Sequence, residues 1–162
     1  MDVRNETVRQ HAGPADASFE SWFRSTEPRL RAALVAAFGP ELGRDATAEA
    51  LSYVWEHRDR VLALDNAAGY AFRVGQRWGR RQRARQGRRF GMPPIESAAP
   101  GFEPALHEAL TALSTRQRQV VVLCIGYGLT HVEAAALLNI SRSSVQNHAE
   151  RGLRRLQKAV GS

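Results

Sequence analysis

The sequence has one cysteine and no long apolar run. Cys124 has no partner within these 162 residues, so an internal disulfide is excluded and a cysteine-based metal site is implausible. Its apolar neighbours predict a small buried side chain. No apolar run approaches the roughly 20 residues of a membrane span, and the polar first residues lack a signal-peptide core. We therefore expect a cytoplasmic protein without membrane insertion.

Patterns typical of enzymes are also missing. The five histidines are scattered, and no pair has metal-ligand spacing with a third ligand nearby. The sequence contains no glycine loop for phosphate and no nucleophile elbow. We therefore expect no enzymatic activity, no metal site and no cofactor.

Lysine is almost absent, because Lys158 is the only lysine among 23 cationic residues. Arginine thus supplies nearly all of the positive charge, and the formal net charge is +7. The guanidinium group forks onto phosphate oxygens and base edges better than an ammonium group does. Together with a pI near 10.9, this predicts a polyanionic partner, above all a nucleic acid.

Alternating β-branched runs bounded by turns are absent, and helical spacing dominates, so the predicted fold class is all-α. Residues 1–17 are expected to form a loose leader. A first helix is predicted from Ser18, with a kink or break at Pro28 and an end at Gly39-Pro40.

Two further helices are predicted in the first half. The second runs from about Arg44 to Val61. Its expected inner face consists of four apolar residues: Leu51, Val54, Trp55 and Val61. The third begins near Asp65-Asn66, either of which can cap it, and its second half is almost purely cationic.

Glycine and proline concentrate in residues 87–103, which predicts a linker. The chain would then consist of two small helical domains, 18–86 and 104–160. The second is predicted to be a four-helix unit that ends in a helix-turn-helix.

The helix-turn-helix rests on local signals. Thr130 with Glu133 predicts a capping box, Asn139 suits a positive φ in the turn, and Ser141 can cap the second helix. That helix would enter the major groove. Its side chains able to contact bases or phosphates are Arg142, Ser143, Ser144, Gln146, Asn147, Arg151 and Arg154.

The third helix carries an arginine cluster, and no acidic residue lies between Asp65 and Glu96. Like charges at three- or four-residue spacing repel, which favours a bound polyanion. The aromatic residues between them could stack on unpaired bases or fill the core. The alternative interpretation is a solvated basic face over buried aromatics.

The order of these features resembles the extracytoplasmic-function sigma factors of the sigma-70 superfamily, over roughly residues 18–86 and 104–160. The stretch GRDATAEALSYVWEHRDRV resembles the helix that docks on the polymerase β′ clamp helices. NAAGYAFRVGQRWGRRQRARQ resembles the helix that melts and reads the −10 element. LSTRQRQVVVLCIGYGLTHVEAAALLNISRSSVQNHAERGLRRLQ resembles the −35-reading domain. The sequence departs from the family pattern at Ala48, Arg77 and Arg81.

The resemblance implies core RNA polymerase, through its β′ clamp helices and β flap, and promoter DNA as partners. An anti-sigma protein is a further candidate. It assigns polymerase contacts to Asp45, Glu49 and Glu56. It assigns the −10 element to Asp65, Asn66, Arg73, Gln76, Arg77, Arg80 and Arg81. It also implies weak promoter binding by the chain alone.

Two other DNA- or RNA-binding interpretations remain. A LuxR-type regulator has a similar helix-turn-helix, but its receiver domain would show alternating strands and helices in the first half. An architectural or RNA-binding protein would use only the basic helix and would leave the C-terminal motif unexplained.

Overall fold

The computed structural model describes residues 14–87 and 104–161, and every regular element in these two ranges is helical. This confirms the predicted all-α class. The first range holds α1 (Pro14–Phe38), α2 (Pro40–Glu56), α3 (Arg58–Leu62) and α4 (Ala67–Gly87). The second holds α5 (Pro104–Thr111), α6 (Thr115–Val121), a π-helical turn (Val122–Gly126), α7 (His131–Leu138) and α8 (Arg142–Val160). Nearly all of the predicted linker lies outside the described residues.

The first helix differs from its prediction in two ways. It begins at Pro14, so residues 14–17 are helical instead of belonging to a loose leader. Pro28 lies inside α1 without dividing it. Residues on both sides of Pro28 are buried, and that packing outweighs the backbone hydrogen bond that a proline lacks.

The predicted second helix is longer at its start and is interrupted near its end. α2 begins at Pro40, because proline suits the first helical position and Gly39 adopts the φ of 89° that the turn requires. The helix then breaks at His57, which separates α2 from α3. The Nδ1 atom of His57 lies 2.9 Å from the Tyr53 carbonyl oxygen and shares this acceptor with the backbone N–H of His57.

Helices α1, α2 and α4 pack into one layer of closely spaced small residues and large apolar side chains. A Cβ atom on Gly43 would lie 2.4 Å from the Cα atom of Val35, so α1 and α2 touch backbone to backbone. Leu30, Leu34 and Phe72 are completely buried between the helices. The interior is therefore shaped for close helix contact.

The caps predicted at Thr130 and Ser141 are confirmed, and Ser114 forms a further cap. The Ser114 hydroxyl accepts from the Gln117 N–H, and the Thr130 hydroxyl accepts from the Glu133 N–H, each in a reciprocal capping box. Asn139 ends α7 with a φ of 55°, and the Ser141 hydroxyl accepts from the Ser144 N–H at the start of α8. The turn chemistry therefore fixes the helix-turn-helix locally.

The two halves of the chain share one hydrophobic core. α1 contacts α6 and the π-helical turn, while α4 contacts α7. The same apolar cluster contains Leu30 and Phe72 from the first half and Val120 and Leu138 from the second. The sequence analysis did not anticipate this contact between the halves.

Candidate nucleic-acid interface

Helix α8 presents one buried and one exposed face. Val145, Ala149 and Gly152 are buried against the rest of the second half. Six of the seven predicted groove residues are exposed: Arg142, Ser143, Gln146, Asn147, Arg151 and Arg154. The amino end of α8 therefore offers both hydrogen-bonding side chains and free N–H groups to an anionic ligand.

The seventh residue, Ser144, belongs to the cap of α8. It is half-buried, and its hydroxyl oxygen lies 2.8 Å from that of Ser141. Its backbone N–H donates to the same Ser141 oxygen. Ser144 therefore stabilises the start of the helix, while its neighbours face solvent.

Glu150, which the sequence analysis did not single out, lies on the exposed face of α8. Gln146 donates through Nε2 to the Glu150 carboxylate over 3.1 Å. This hydrogen bond joins two exposed side chains one helical turn apart and favours one orientation of the Gln146 amide. The four-residue spacing was the available signal, because it places both side chains on one face.

His148 lies beside the groove face and turns inward. Its side chain is half-buried, and its Nδ1 atom has no hydrogen-bond partner among the described residues. Burial lowers the pKa of His148, and the charges of Arg116 and Arg151 lower it further. Both causes favour the neutral imidazole.

Helix α4 presents a face of pure positive charge. Its predicted DNA-contacting arginines are all exposed: Arg73, Arg77, Arg80 and Arg81. Gln76 is half-buried between them. In the described part of the chain, no ion pair involves any of these arginines. A polyanion would relieve the repulsion along this face.

The aromatic residues of α4 belong mainly to the core. Phe72 is completely buried, and Tyr70 and Trp78 are partly buried against the same cluster. The Arg73 guanidinium lies 5.7 Å from the centre of the Tyr70 ring. In this arrangement, Phe72 cannot stack on a base.

Arg83 stabilises the fold. It donates to the Ala37 carbonyl oxygen over 3.0 Å and lies 5.0 Å from the centre of the Phe38 ring. The carbonyl groups at the end of α1 have no partners within their own helix, and a cation there is favourable. The helical pattern did not distinguish Arg83 from the other exposed arginines of α4.

The loop before α4 contains Asp65 and Asn66, two of the residues assigned to the −10 element. Asp65 is exposed. Asn66 accepts from the Gly69 N–H through Oδ1 over 2.9 Å, so it caps α4. Its Nδ2 donates to the Ala136 carbonyl oxygen over 2.8 Å, which connects it to α7.

A tyrosine pair lies at the junction of α2, α3 and α4. The hydroxyl oxygens of Tyr53 and Tyr70 are 3.4 Å apart, and Arg60 donates to Tyr53 over 2.8 Å. The hydrogen bond with Tyr70 lowers the pKa of Tyr53, and that with Arg60 lowers it further. The same tyrosine–tyrosine bond raises the pKa of Tyr70. The three residues lie on three different helices, within 17 residues of one another, and the helical pattern of each did not predict this cluster.

The predicted polymerase face of α2 carries Asp45, Glu49 and Glu56, all exposed. The prediction that Trp55 is buried on the inner face was wrong, because its side chain is 42% exposed. The ring is held in a T-shaped contact with Phe19, at 4.9 Å, and under the Arg58 guanidinium, at 4.2 Å. An indole that the fold immobilises at the surface suits a partner interface.

The described residues contain neither a group of three or more metal-ligating side chains that could hold an ion nor a helix long and apolar enough to cross a membrane.

The geometry defines a helical protein with a helix-turn-helix and a second cationic helix, two elements suited to DNA. Residues 104–156 match the family of sigma-70 region 4 domains. The fold is similar to that in the co-crystal structure of the sigma factor RpoE in complex with the anti-sigma factor NepR from Bartonella quintana. The TM-score is 0.65 and the identity 21%, over 88% of this chain and 96% of that chain. No curated protein sequence matches the chain.

Residues 104–156 thus match a sigma-70 region 4 domain, and the chain as a whole has a fold similar to that of the sigma factor in that complex. The match favours this assignment over a LuxR-type regulator, because both the region 4 domain and the helical first half fit a sigma factor.

Proposed function

We propose that this chain binds core RNA polymerase and directs promoter recognition and DNA melting in transcription initiation. The observation that carries the proposal is the match of residues 104–156 to sigma-70 region 4. These residues include the exposed side chains of α8 that are predicted to enter the major groove. A second exposed cationic helix, α4, lies on the same chain. A protein that both recognises and opens a promoter needs two such elements.

The −35 element is proposed to meet α8. Gln146 and Asn147 have amide groups that can form paired hydrogen bonds with base edges. Arg151 and Arg154 lie further along the helix and suit phosphate oxygens, which set position more than sequence. The order of these side chains along α8 supports base recognition near the start of the helix and phosphate binding further along it.

The −10 element is proposed to meet α4 and the loop before it. Strand opening costs roughly 1.4 kcal/mol of stacking per base-pair step. Capturing one unstacked base can return ~1–3 kcal/mol, and Asp65 and Asn66 lie in the loop proposed for that capture. The exposed arginines of α4, with Gln76 between them, would hold the backbone of the separated strand.

The exposed face of α2 is proposed to bind the β′ clamp helices, and the second half to bind the β flap. Exposed ion pairs made by Asp45, Glu49 and Glu56 are each worth little. The half-exposed Trp55 on this face offers a larger contribution, because aromatic anchors dominate many interfaces. Polymerase affinity would therefore depend on Trp55 more than on any one carboxylate.

Three further properties follow from this role. The chain would act in the cytoplasm, where polymerase is, and would have no enzymatic activity of its own. An anti-sigma protein is a proposed partner, because the similar structure contains one. Free of polymerase, the chain would bind promoters weakly.

The test is reconstituted transcription with core polymerase, the full chain and a promoter library, read by sequencing RNA 5′ ends. We expect initiation at a defined subset of promoters that core polymerase alone does not use. Gln146→Ala with Asn147→Ala should change that subset. Gln157→Ala, at the far end of the same helix, is the matched control and should leave it unchanged. Absence of chain-dependent initiation would refute the proposal.

A further inference from the structure

The Trp55 indole is restrained by two other helices although it lies at the surface. Phe19 of α1 meets the ring in a T-shaped contact, with the ring centres 4.9 Å apart. The Arg58 guanidinium of α3 lies 4.2 Å from the centre of the same ring. Arg58 also donates through Nη1 to the Trp55 carbonyl oxygen over 3.0 Å. The ring thus has contacts from α1 and α3 and is still 42% exposed.

Arg58 is in turn held by Asp16, in the first turn of α1. The Nε atom of Arg58 lies 3.2 Å from Asp16 Oδ1, and almost no solvent reaches either atom. Both side chains are 31% exposed, whereas those of Glu20 and Arg24, an ion pair within the same helix, are 62% and 75% exposed. Because water and salt screen exposed pairs most, Asp16 restrains Arg58 more strongly than Glu20 restrains Arg24.

The spacing of these residues brings the contacts together. Asp16 and Phe19 are three residues apart, which puts both side chains on one face of α1. Trp55 and Arg58 are also three residues apart, and the break at His57 places Arg58 over the ring. One face of the first turn of α1 therefore meets both Trp55 and Arg58. The sequence analysis placed Asp16 in a loose leader and gave it no role.

A surface anchor that is ordered before binding gives higher affinity than a mobile one. A mobile side chain loses rotamer freedom when a partner immobilises it, and that loss costs binding free energy. Phe19 and Arg58 already restrict the Trp55 ring in the free chain. The Asp16 oxygen that pairs with Arg58 is inaccessible, which favours an effect through Arg58 over a direct contact with a partner.

We propose that Asp16 is a positioning residue for polymerase binding: its carboxylate holds Arg58 over the Trp55 ring and so keeps the indole oriented for the partner. The inference rests on the proposed function, which assigns Trp55 to the polymerase interface. Since Asp16 acts through Trp55, the effect of its charge on polymerase affinity disappears when the indole is removed.

The first test is a double-mutant cycle on the full chain, with the Kd for core polymerase as the measured quantity. Asp16→Asn keeps the size of the side chain and removes its charge. Binding should weaken about two- to tenfold, as expected when one side chain must be ordered on binding. Trp55→Ala should weaken binding more. In the Trp55→Ala background, Asp16→Asn should have no further effect, because both changes remove the same contribution.

The matched control is Glu20→Gln, a loss of the same charge one turn further along α1. The Glu20 carboxylate pairs with Arg24 of its own helix. Affinity for polymerase should therefore stay unchanged in both backgrounds. Circular dichroism checks that every variant is folded.

A second measurement does not require polymerase. In a chain labelled with fluorotryptophan, each of the three tryptophans gives a fluorine resonance, and Trp55→Phe identifies that of Trp55. Asp16→Asn should shift the Trp55 resonance more than that of Trp78 on α4, because the cation over the Trp55 ring is released. Glu20→Gln should shift neither.

Two results would overturn the inference. One is an Asp16→Asn chain whose affinity for polymerase is unchanged, or falls equally with and without the Trp55 indole. The other is a Trp55 resonance that does not respond to Asp16→Asn. If polymerase does not bind the parent chain, the proposed function fails, while the fluorine resonances still decide whether Asp16 orients Trp55.

Discussion

The two helices proposed to bind DNA differ in how they pack and in what they expose. α4 packs through glycines such as Gly75 and Gly79, so its backbone lies directly against α1 and α2. α8 packs through Val145 and Ala149, with the side-chain spacing of an ordinary amphipathic helix. Outwardly, α4 carries charge of one sign, whereas α8 mixes arginines with hydroxyl, amide and carboxylate groups, including Glu150.

This difference indicates a division of labour. A row of arginines holds phosphates without regard to sequence, and its binding energy depends strongly on salt. Amide groups held in fixed orientation, as in Gln146, form directional hydrogen bonds that distinguish bases. Helix α4, whose backbone packs directly against α1 and α2, would hold the DNA strand. Helix α8, whose exposed face carries directional amide groups, would recognise the sequence.

The largest effect should come from filling the glycine contact of α4. At Gly75, a Cβ atom would lie 2.7 Å from Leu34 Cδ1 and 2.9 Å from the Ala46 carbonyl oxygen, which is backbone. We expect Gly75→Ala to lower the free energy of unfolding by about 1–3 kcal/mol, because the core cannot move aside. Urea denaturation followed by circular dichroism measures this.

Gly152→Ala in α8 is the matched control. Its Cβ atom would lie 2.7 Å from Val121 Cγ2, the end of a side chain, with the next atoms 3.6 Å away. Only one side-chain atom of Val121 and no backbone atom must shift there, so Gly152→Ala should lose less stability than Gly75→Ala. Equal losses at both sites would show that the two helices are packed alike.

The next prediction separates phosphate binding by α4 from base recognition by α8. Arg77→Ala should weaken binding of the polymerase complex to all promoters and reduce the slope of log affinity against log salt by about one. Gln146→Ala should leave that slope unchanged and cost about 1–3 kcal/mol on the preferred sequence alone. Affinities for preferred and scrambled promoters at several salt concentrations measure both. If Arg77→Ala weakened binding to the preferred promoter alone, the proposed division of labour between α4 and α8 would be refuted.

The sequence predicted the parts of the fold that local chemistry determines. The Thr130 capping box, the positive φ of Asn139 and the Ser141 cap each depend on a few neighbouring residues, and together they defined the helix-turn-helix. The same holds for the exposed groove face of α8, since 3.6-residue periodicity separates it from the buried face.

The contacts that the sequence did not predict are long-range. Gln119 in α6 donates to the Ala33 carbonyl oxygen of α1, and nothing nearby in the sequence indicates this contact. Arg83 has the same local surroundings as the arginines beside it, yet it caps another helix. Trp55 was expected inside because large aromatics usually are, but Phe19 and Arg58 hold it at the surface. Each depends on at least one packing partner far away in sequence.

The smallest expected effect concerns pH, and it distinguishes the helices because α4 contains no histidine while α8 contains His148. Burial, with the nearby Arg116 and Arg151, lowers the pKa of His148 in the folded chain. The unfolded chain therefore binds the proton more readily, near the ordinary value of about 6.5. The stability due to the neutral imidazole is present above that pH and is lost as the pH falls through the folded pKa.

His148→Gln should therefore lose less stability than the parent chain between about pH 7 and 5. Comparing the two chains by urea denaturation at each pH cancels the contribution of the carboxylates. Parallel stability curves would mean that the imidazole is as free to protonate in α8 as in the unfolded chain.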